Sequence, residues 1–457
     1  MSLSRSHQIV TAENAGQARQ DEPNVSSFDV SCTYRARLVF SLSASVLLLG
    51  CASTKSLGLM ETPVLYHQAA VDPFAHLGPE DKTTLTQVFY ATNRAPQDLK
   101  TGLPYGNGTS GLLHLGRATV RLGDENTRWE DLYLASVSPN RESLIPLTLQ
   151  EATELAAIEP DKPGEHALVG DAQSVASAIN KELEKTKDKE LLIYVHGTKV
   201  DFANACALTA EIDHFTGRDL VGVGFAWPSH QNILSYVLGM DVRRATSSAG
   251  SLRRLIELLA DHTRAEHINL IAYSAGGRVA SKALHELRGA YGALDADALK
   301  KRFRLGAVIF AAADVPVDRF LERLPAISEL SDQVVVTVSD GDDALEAAKS
   351  LMGGQSRMGT LEAEDEEEAF ATSHDLENLE IIDVSRGQGE RGFDIEGHHY
   401  WYRHPWASSD IVLLVRTELE PPHRGLEPAE RPRVWFFAPH YPQSVQDAAR
   451  QALKGQW

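Results

Sequence analysis

Five apolar runs, each about as long as a buried strand, constrain this chain more than any other feature. They read "ELLIYVHG", "LVGVGFAWP", "HINLIAYS", "FRLGAVIFAAAD" and "QVVVTVSDGDD", and they fall between Glu190 and Asp343. None alternates apolar with polar residues, so neither side of these strands is meant for water. Helical patterns separate them: "ANACALTAEIDHF" is one, and a long one covers roughly Asp241 to His262. Strands covered on both faces and alternating with helices specify an α/β fold, with a mostly parallel central sheet and helices on both faces. "NLEIIDVS" (Asn378–Ser385) extends the strand series, and a helix from about Ser408 to Glu418 follows it. Ahead of the series, "TQVFYATNR" (Thr86–Arg94), "GRATVRLG" (Gly116–Gly123) and "LYLASVS" (Leu132–Ser138) read as β segments. Asp171–Thr186 reads as an amphipathic helix with Asp171 as N-cap.

The chain has 457 residues, of which 43% are hydrophobic, enough for one large domain with extensions. Its formal net charge is −19, and no dense Lys/Arg stripe offsets it. Phosphate backbones require a basic patch, so this charge argues against a nucleic-acid partner.

Near the N-terminus, Arg35 and Arg37 precede an apolar run from Leu38 to Leu49 that ends in Gly50-Cys51. That run is short for a membrane span and suits the core of a signal peptide, with an uncleaved signal anchor as the alternative. "LLGC" resembles a bacterial lipobox, in which the cysteine is lipidated, and this makes Cys51 the expected anchor. The leader ahead of Arg35 is long for such a signal. Ala52 after the cysteine resembles the sorting pattern of outer-membrane lipoproteins. With Cys32 removed and Cys51 acylated, Cys206 remains alone, and no internal disulfide forms.

"HINLIAYSAGGRVA" (His267–Ala280) places Ser274 between a buried strand and a helix. A chain that turns so sharply needs small residues two before and two after the corner, and Ala272 and Gly276 stand there. The pentad resembles the nucleophile elbow G-x-S-x-G, with alanine for the first glycine. Val279, Ala280, Leu284 and Leu287 give the following helix an apolar face. His196-Gly197 ends an earlier strand and resembles the turn that contributes an oxyanion-hole amide. The donors would be the backbone N–H groups of Thr198 and Ala275. "VSDGDDAL" offers Asp340, Asp342 and Asp343 as acids, and "GHHYWYRHP" offers late histidines. The order Ser, Asp, His is that of a hydrolytic triad in this fold class.

With these pieces in sequence, the chain resembles a bacterial branch of the α/β-hydrolase superfamily catalogued as a domain of unknown function. The resemblance runs from about Thr86 to Leu419, through "VFYATNR", "IYVHGTK", "FAWPS", "AYSAGGR", "FAAADV", "VSDGDDAL" and "GHHYWYRHPWASSDI". It implies Asp342 as the acid, three residues after the serine that ends the strand. It implies His398 as the base, from its spacing to Pro405 and Asp410. The chain departs from the pattern at Tyr273, where histidine is common, and at Ala275, where methionine is common; both positions line the pocket.

A serine hydroxyl is a weak nucleophile until an imidazole accepts its proton. His398 would do so, Asp342 would fix its tautomer, and the two amides would hold the oxyanion. Asp314, which also ends a strand, is the alternative acid or the cap of the next helix. His399 is the alternative base, and Trp227 lines the pocket or packs in the core. His196 reads as structural, and His404 and His440 as surface residues. His398, His399 and His404 cluster near Glu396, yet H-E-x-x-H and a P-loop are absent, and "GVGFAWP" lacks the third glycine of a dinucleotide fingerprint. No metal or cofactor is therefore expected.

The expected layout is a signal peptide with a long leader over 1–50, a lipid-anchored tether over 51–77 and an N-terminal β extension over 78–160. The α/β-hydrolase catalytic domain covers 161–420 and a C-terminal tail 421–457. The acidic run Glu362–Ala369 reads as a solvated loop. The expected activity is hydrolysis of a small-molecule or lipid carboxylic ester through an acyl-enzyme, by an envelope lipoprotein held at the membrane. The alternatives are an amidase or peptidase with the same triad, and a non-catalytic binding protein on the same fold.

Overall fold

The computed structural model describes residues 57–98, 103–141, 143–160, 171–230, 239–339, 358, 376–385 and 404–453. The first three strands, β1 (Leu85–Pro96), β2 (Tyr105–Leu122) and β3 (Leu147–Ile158), form an antiparallel meander. Next come β4 (Leu191–Val195), β5 (Val221–Phe225), β6 (Ile268–Tyr273), β7 (Leu305–Ala311), β8 (Ser331–Val338) and β9 (Leu379–Asp383). Among the described residues, the short β10 (Glu427–Pro428) and β11 (Val434–Phe436) complete one sheet of eleven strands. Its order is β10-β11-β9-β8-β7-β6-β4-β5-β1-β2-β3. From β11 to β1 all neighbours are parallel, and only the two flanks are antiparallel.

The described helices are α1 (Trp129–Val137), α2 (Asp171–Leu183), α3 (Phe202–Phe215), α4 (Met240–His262), α5 (Gly276–Ala290), α6 (Ala296–Phe303), α7 (Val317–Leu330), α8 (Pro405–Thr417) and α9 (Tyr441–Ala452). Successive side chains of a strand point to opposite faces. Leu191, Ile193 and Val195 accordingly pack with α2, α4, α5 and α7, while Leu192 and Tyr194 pack with α3, α8 and α9. Every residue of β4, β5, β6 and β7 is buried, which is why these strands read as continuous apolar runs. Among the described residues no helix is long and apolar enough to cross a membrane.

Two expectations are corrected. Leu132–Ser138 is not a strand; Leu132–Val137 lies in α1, and Ser138 is its C-cap. Its buried residues, Leu132, Ser136 and Val137, are spaced four and five apart, whereas Leu134 is exposed. The Asp131 carboxylate accepts from the Arg128 N–H at the start of this helix, and helical spacing outweighs the β propensity of the segment. The part of the 51–77 segment that is described is no free tether: Leu59, Met60, Leu65, Tyr66 and Phe74 are all buried in the core. The 421–457 segment packs back on the body, as its "VWFFAPHYP" stretch leads one to expect. β11 adds a parallel strand beside β9, and α9 buries Tyr441, Val445 and Ala449. Cys206 is a buried free thiol. Cys32, Cys51 and Glu362–Ala369 lie outside the described residues.

Candidate active site

Because β4 through β9 are parallel, their C-terminal ends lie along one edge of the sheet. The register pairs Val195 with both Phe225 and Ala272, and Tyr273 with Ala311. Side chains just past these ends converge, since loops there carry no ladder duties.

Ser274 follows the last residue of β6, and α5 begins two residues later. Its φ is +53°, a left-handed conformation that non-glycine residues seldom adopt. The surroundings fix it there. The Ser274 N–H donates to the Ala311 carbonyl at 3.0 Å, and its own carbonyl accepts from Gly277 at 2.9 Å and Asp314 at 3.1 Å. Gly276 must be glycine, because a Cβ would lie 2.4 Å from the Val195 carbonyl oxygen and 2.7 Å from that of His196. A Cβ on Gly197 would come within 3.0 Å of the Ser274 Cβ, so the loop after β4 passes directly against the elbow. Ala275 is the N-cap of α5, and N–H groups in this first turn have no partner inside the helix.

The loop after β4 is held from several sides. Trp227 Nε1 donates to the His196 carbonyl at 2.7 Å, and the two rings stack at 5.3 Å with 11° between planes. Trp227 is thus a buried packing and hydrogen-bonding residue. Burial, with help from the nearby Arg94 charge, pushes the His196 pKa down to about 3. His196 is therefore neutral, and its Nδ1 bonds the Gly197 carbonyl at 2.7 Å. The Thr198 hydroxyl donates to Asp241 Oδ2 at 3.2 Å. Asp241, fully buried in the first turn of α4, also bonds His230 Nδ1 at 2.9 Å. The Val200 carbonyl accepts from Arg94 Nη2 at 2.6 Å and from the Ser229 hydroxyl at 2.7 Å.

The motif at the end of β1 therefore organises the rim. Thr92 donates to the Ala226 carbonyl at 2.6 Å, Asn93 to Ser248 of α4 at 3.0 Å, and Arg94 to the loop carrying Thr198. Nothing in "VFYATNR" or "FAWPS" as sequence assigns a role to Asn93, Arg94 or Ser229, nor does the start of the long helix assign one to Asp241. A buried arginine or aspartate announces itself only once its partners are known.

Asp314 does not cap the next helix, since Pro316 is the N-cap of α7. Its carboxylate instead receives Arg278 of α5 in a two-pronged bond, with Nε and Nη2 each at 3.2 Å. Tyr273 is buried against Gly197. His404 is not a surface residue: it is 5% exposed, and Nδ1 accepts from the Trp406 and Ala407 amides as the N-cap of α8. Burial lowers its pKa to about 4. His440 does lie on the surface, 3.3 Å from Glu427. Asp410, the late aspartate of the motif, is buried with Arg424, which also holds Glu380. Asp340, Asp342, Asp343, Glu396, His398 and His399 lie outside the described residues.

A cavity of about 430 Å³ sits at the opposite edge of the sheet, lined among others by Glu190, His267, Arg416 and Glu418. It does not include the elbow. His267 Nδ1 lies 2.8 Å from Glu190 and 3.3 Å from Glu418 there. These three could in principle surround a metal ion. A protonated imidazole already balances the carboxylates, and bonding to Glu190 raises the His267 pKa to about 9.

A family model described as an alpha/beta hydrolase of unknown function (DUF900) matches residues 171–408, just over half of the chain. Among solved structures, a lipase-esterase related protein from Clostridium acetobutylicum ATCC 824 is similar at 12% identity. The match covers 50% of this chain and 94% of that one, with a TM-score of 0.27. An acylaminoacyl peptidase from Pyrococcus horikoshii is similar at 11% identity, covering 64% and 57% of the two chains, with a TM-score of 0.21. No curated protein matches the chain.

Proposed function

Because this chain belongs to the family of alpha/beta hydrolases of unknown function, we propose that it is a serine hydrolase cleaving carboxylic esters. Ser274 is the nucleophile, His398 the base, Asp342 the orienting acid, and the amides of Thr198 and Ala275 the oxyanion donors.

The observation that carries this reading is the left-handed Ser274 over a glycine that no larger residue could replace. Strain of this kind, costing roughly 1–3 kcal/mol, persists where a function needs the corner. A packing serine would sit in the strand or the helix without it. Asp342 is within reach: it lies four residues past the end of β8, and four residues span up to roughly 14 Å. β8 stands two strands from β6, about 10 Å.

In the first half-reaction, Ser274 Oγ attacks the ester carbonyl and His398 takes the hydroxyl proton. The tetrahedral oxyanion receives the two amides, and the alcohol leaves with the proton from His398. Water then repeats the sequence on the acyl-enzyme, with His398 as base again. Each oxyanion donor is worth about 3 kcal/mol in the transition state. We also propose that Cys51 is the lipid anchor that holds the enzyme at the membrane of a bacterial envelope.

The test is a series of nitrophenyl esters of increasing acyl length, joined to a fluorophosphonate whose adduct is mapped by peptide mass spectrometry. Ester turnover that Ser274→Ala abolishes, with the adduct on Ser274 in the wild type, supports the proposal. A folded wild type that turns over no ester and carries no adduct on Ser274 favours a binding protein. Turnover of amides but not esters favours an amidase.

A further inference from the structure

We propose that Ser110, on the β1–β2 meander, is a second activated nucleophile, with His114 as its base and Glu154 orienting that base. The proposal does not depend on the role of Ser274.

The local backbone builds this array. Thr92 of β1 stands opposite His114 of β2, and Arg94 stands opposite Thr109. Two steps along β1 therefore face five along β2, so three extra residues bulge out between Thr109 and His114. Gly108 and Gly111 flank Ser110 in this bulge. Bulges re-aim side chains and cluster beside functional sites. Here the bulge folds Ser110 back over His114, with Oγ 2.9 Å from Nε2. The other ring nitrogen, Nδ1, lies 2.9 Å from Glu154 Oε2 on β3. The Tyr105 hydroxyl donates to the same carboxylate oxygen and steadies it.

The hydrogen-bond directions follow from chemistry. An ionised carboxylate only accepts, so His114 Nδ1 carries a proton, and in the neutral imidazole Nε2 then offers a lone pair. Ser110 must then be the donor to Nε2, which is the arrangement a serine needs to be activated. The Leu112 N–H donates to Oγ at 3.0 Å, fixing the hydroxyl while leaving a lone pair for attack. His114 is 5% exposed, whereas Ser110 is partly exposed and the space around Gly111 is open. A reagent can reach the oxygen while the base stays sheltered.

The substrates that fit are small activated acyl or phosphonyl esters. Ser110 Oγ forms a bond to the electrophilic carbon or phosphorus, and its proton passes to His114 Nε2. The bond to the leaving group breaks, and the leaving group departs with that proton. With a fluorophosphonate the leaving group is fluoride, and the balance is one adduct and one HF.

The experiment uses the full chain carrying Ser274→Ala, so that the first serine is silent. Fluorophosphonate adducts are mapped by peptide mass spectrometry, with circular dichroism and thermal melting as folding controls. The expected result is an adduct on Ser110. Its rate should fall by roughly 100-fold when Glu154→Gln or His114→Gln is added, the low end of what a positioned base contributes. Adding Ser110→Ala should remove the adduct. A folded Ser274→Ala protein with no adduct on Ser110 overturns the proposal. So does an adduct whose rate Glu154→Gln leaves unchanged, since Ser110 would then react only as an exposed hydroxyl. Loss of ester turnover in Ser274→Ala alone bears on Ser274 and leaves this result separate.

Discussion

Arg94 Nη2 donates to the Val200 carbonyl at 2.6 Å, and Nη1 reaches Asn107 Oδ1 at 3.0 Å, so one guanidinium joins the meander to the loop carrying Thr198. Arg94 is completely buried, and burial lowers its pKa to about 10, which leaves it charged at neutral pH. Arg94→Met should remove these bonds and strand the Val200 carbonyl with Ser229 as its remaining partner. We expect a loss of about 2–3 kcal/mol in urea unfolding. We also expect a drop of roughly 100-fold in kcat/KM on a nitrophenyl ester, because a displaced oxyanion donor costs that much. Normal kcat/KM in a folded variant would show that the loop holds its shape without Arg94.

Gly276 and Gly289 both lie in α5, and they should respond oppositely to alanine. At Gly276 the new methyl meets the backbone oxygens of Val195, at the end of β4, and of His196 just after it. Gly276→Ala should cost several kcal/mol, on the order of an overpacked core site, and abolish labelling of Ser274. At Gly289 nothing lies within 4 Å, so Gly289→Ala should gain about 0.5–1 kcal/mol through helix propensity. Thermal melts of the pair decide it, and equal effects would mean the elbow is not as tight as the geometry requires.

Asp314 and Asp342 are separated by mutation. Asp314 is held by Arg278 in a two-pronged bond, a duty that ties the turn after β7 to α5. Asp314→Asn should lower stability by roughly 1–3 kcal/mol and leave kcat within about tenfold of wild type. Asp342→Asn should lower kcat by roughly 10⁴ through loss of the imidazole tautomer. Ester kinetics on both variants would assign the acid, and the reverse pattern would move the role to Asp314.

The fold was readable because its strongest signal is local. β4, β6 and β7 are buried on both faces, and a doubly buried strand shows as an unbroken apolar run. The elbow was readable for a related reason: a turn this sharp restricts residue size at Ala272 and Gly276, within five positions. α1 reads as a strand because "LYLASV" has strand-like composition, while its helical start depends on Asp131 folding back to the Arg128 N–H. The bracing of the rim was not readable at all. Arg94 meets Val200 across 106 positions and Asn93 meets Ser248 across 155, and no pattern in either segment specifies its partner. Ser110 and His114 are only four apart, yet their contact needs the bulge, which exists only against the register of β1. The strand order, with β4 between β5 and β6, is likewise a product of packing.

His267 makes stability depend on pH at the edge of the sheet away from the elbow. Its pKa is raised to about 9, chiefly by the bond to Glu190, then by the charges of Glu190, Glu418 and Asp332, with burial opposing. The unfolded value is about 6.5. Between these two values the folded protein binds more protons than the unfolded chain, so stability falls as pH rises. The contribution is complete below about pH 6.5 and is lost as pH climbs through about 9. The side chain is 36% exposed, so solvent screening weakens the effect. His267→Gln should be less stable than wild type at pH 6, and the gap in urea midpoint should narrow steadily towards pH 9.5. A gap that widens with pH would mean that the imidazole is neutral in the folded protein and that the carboxylates around it are balanced by something else.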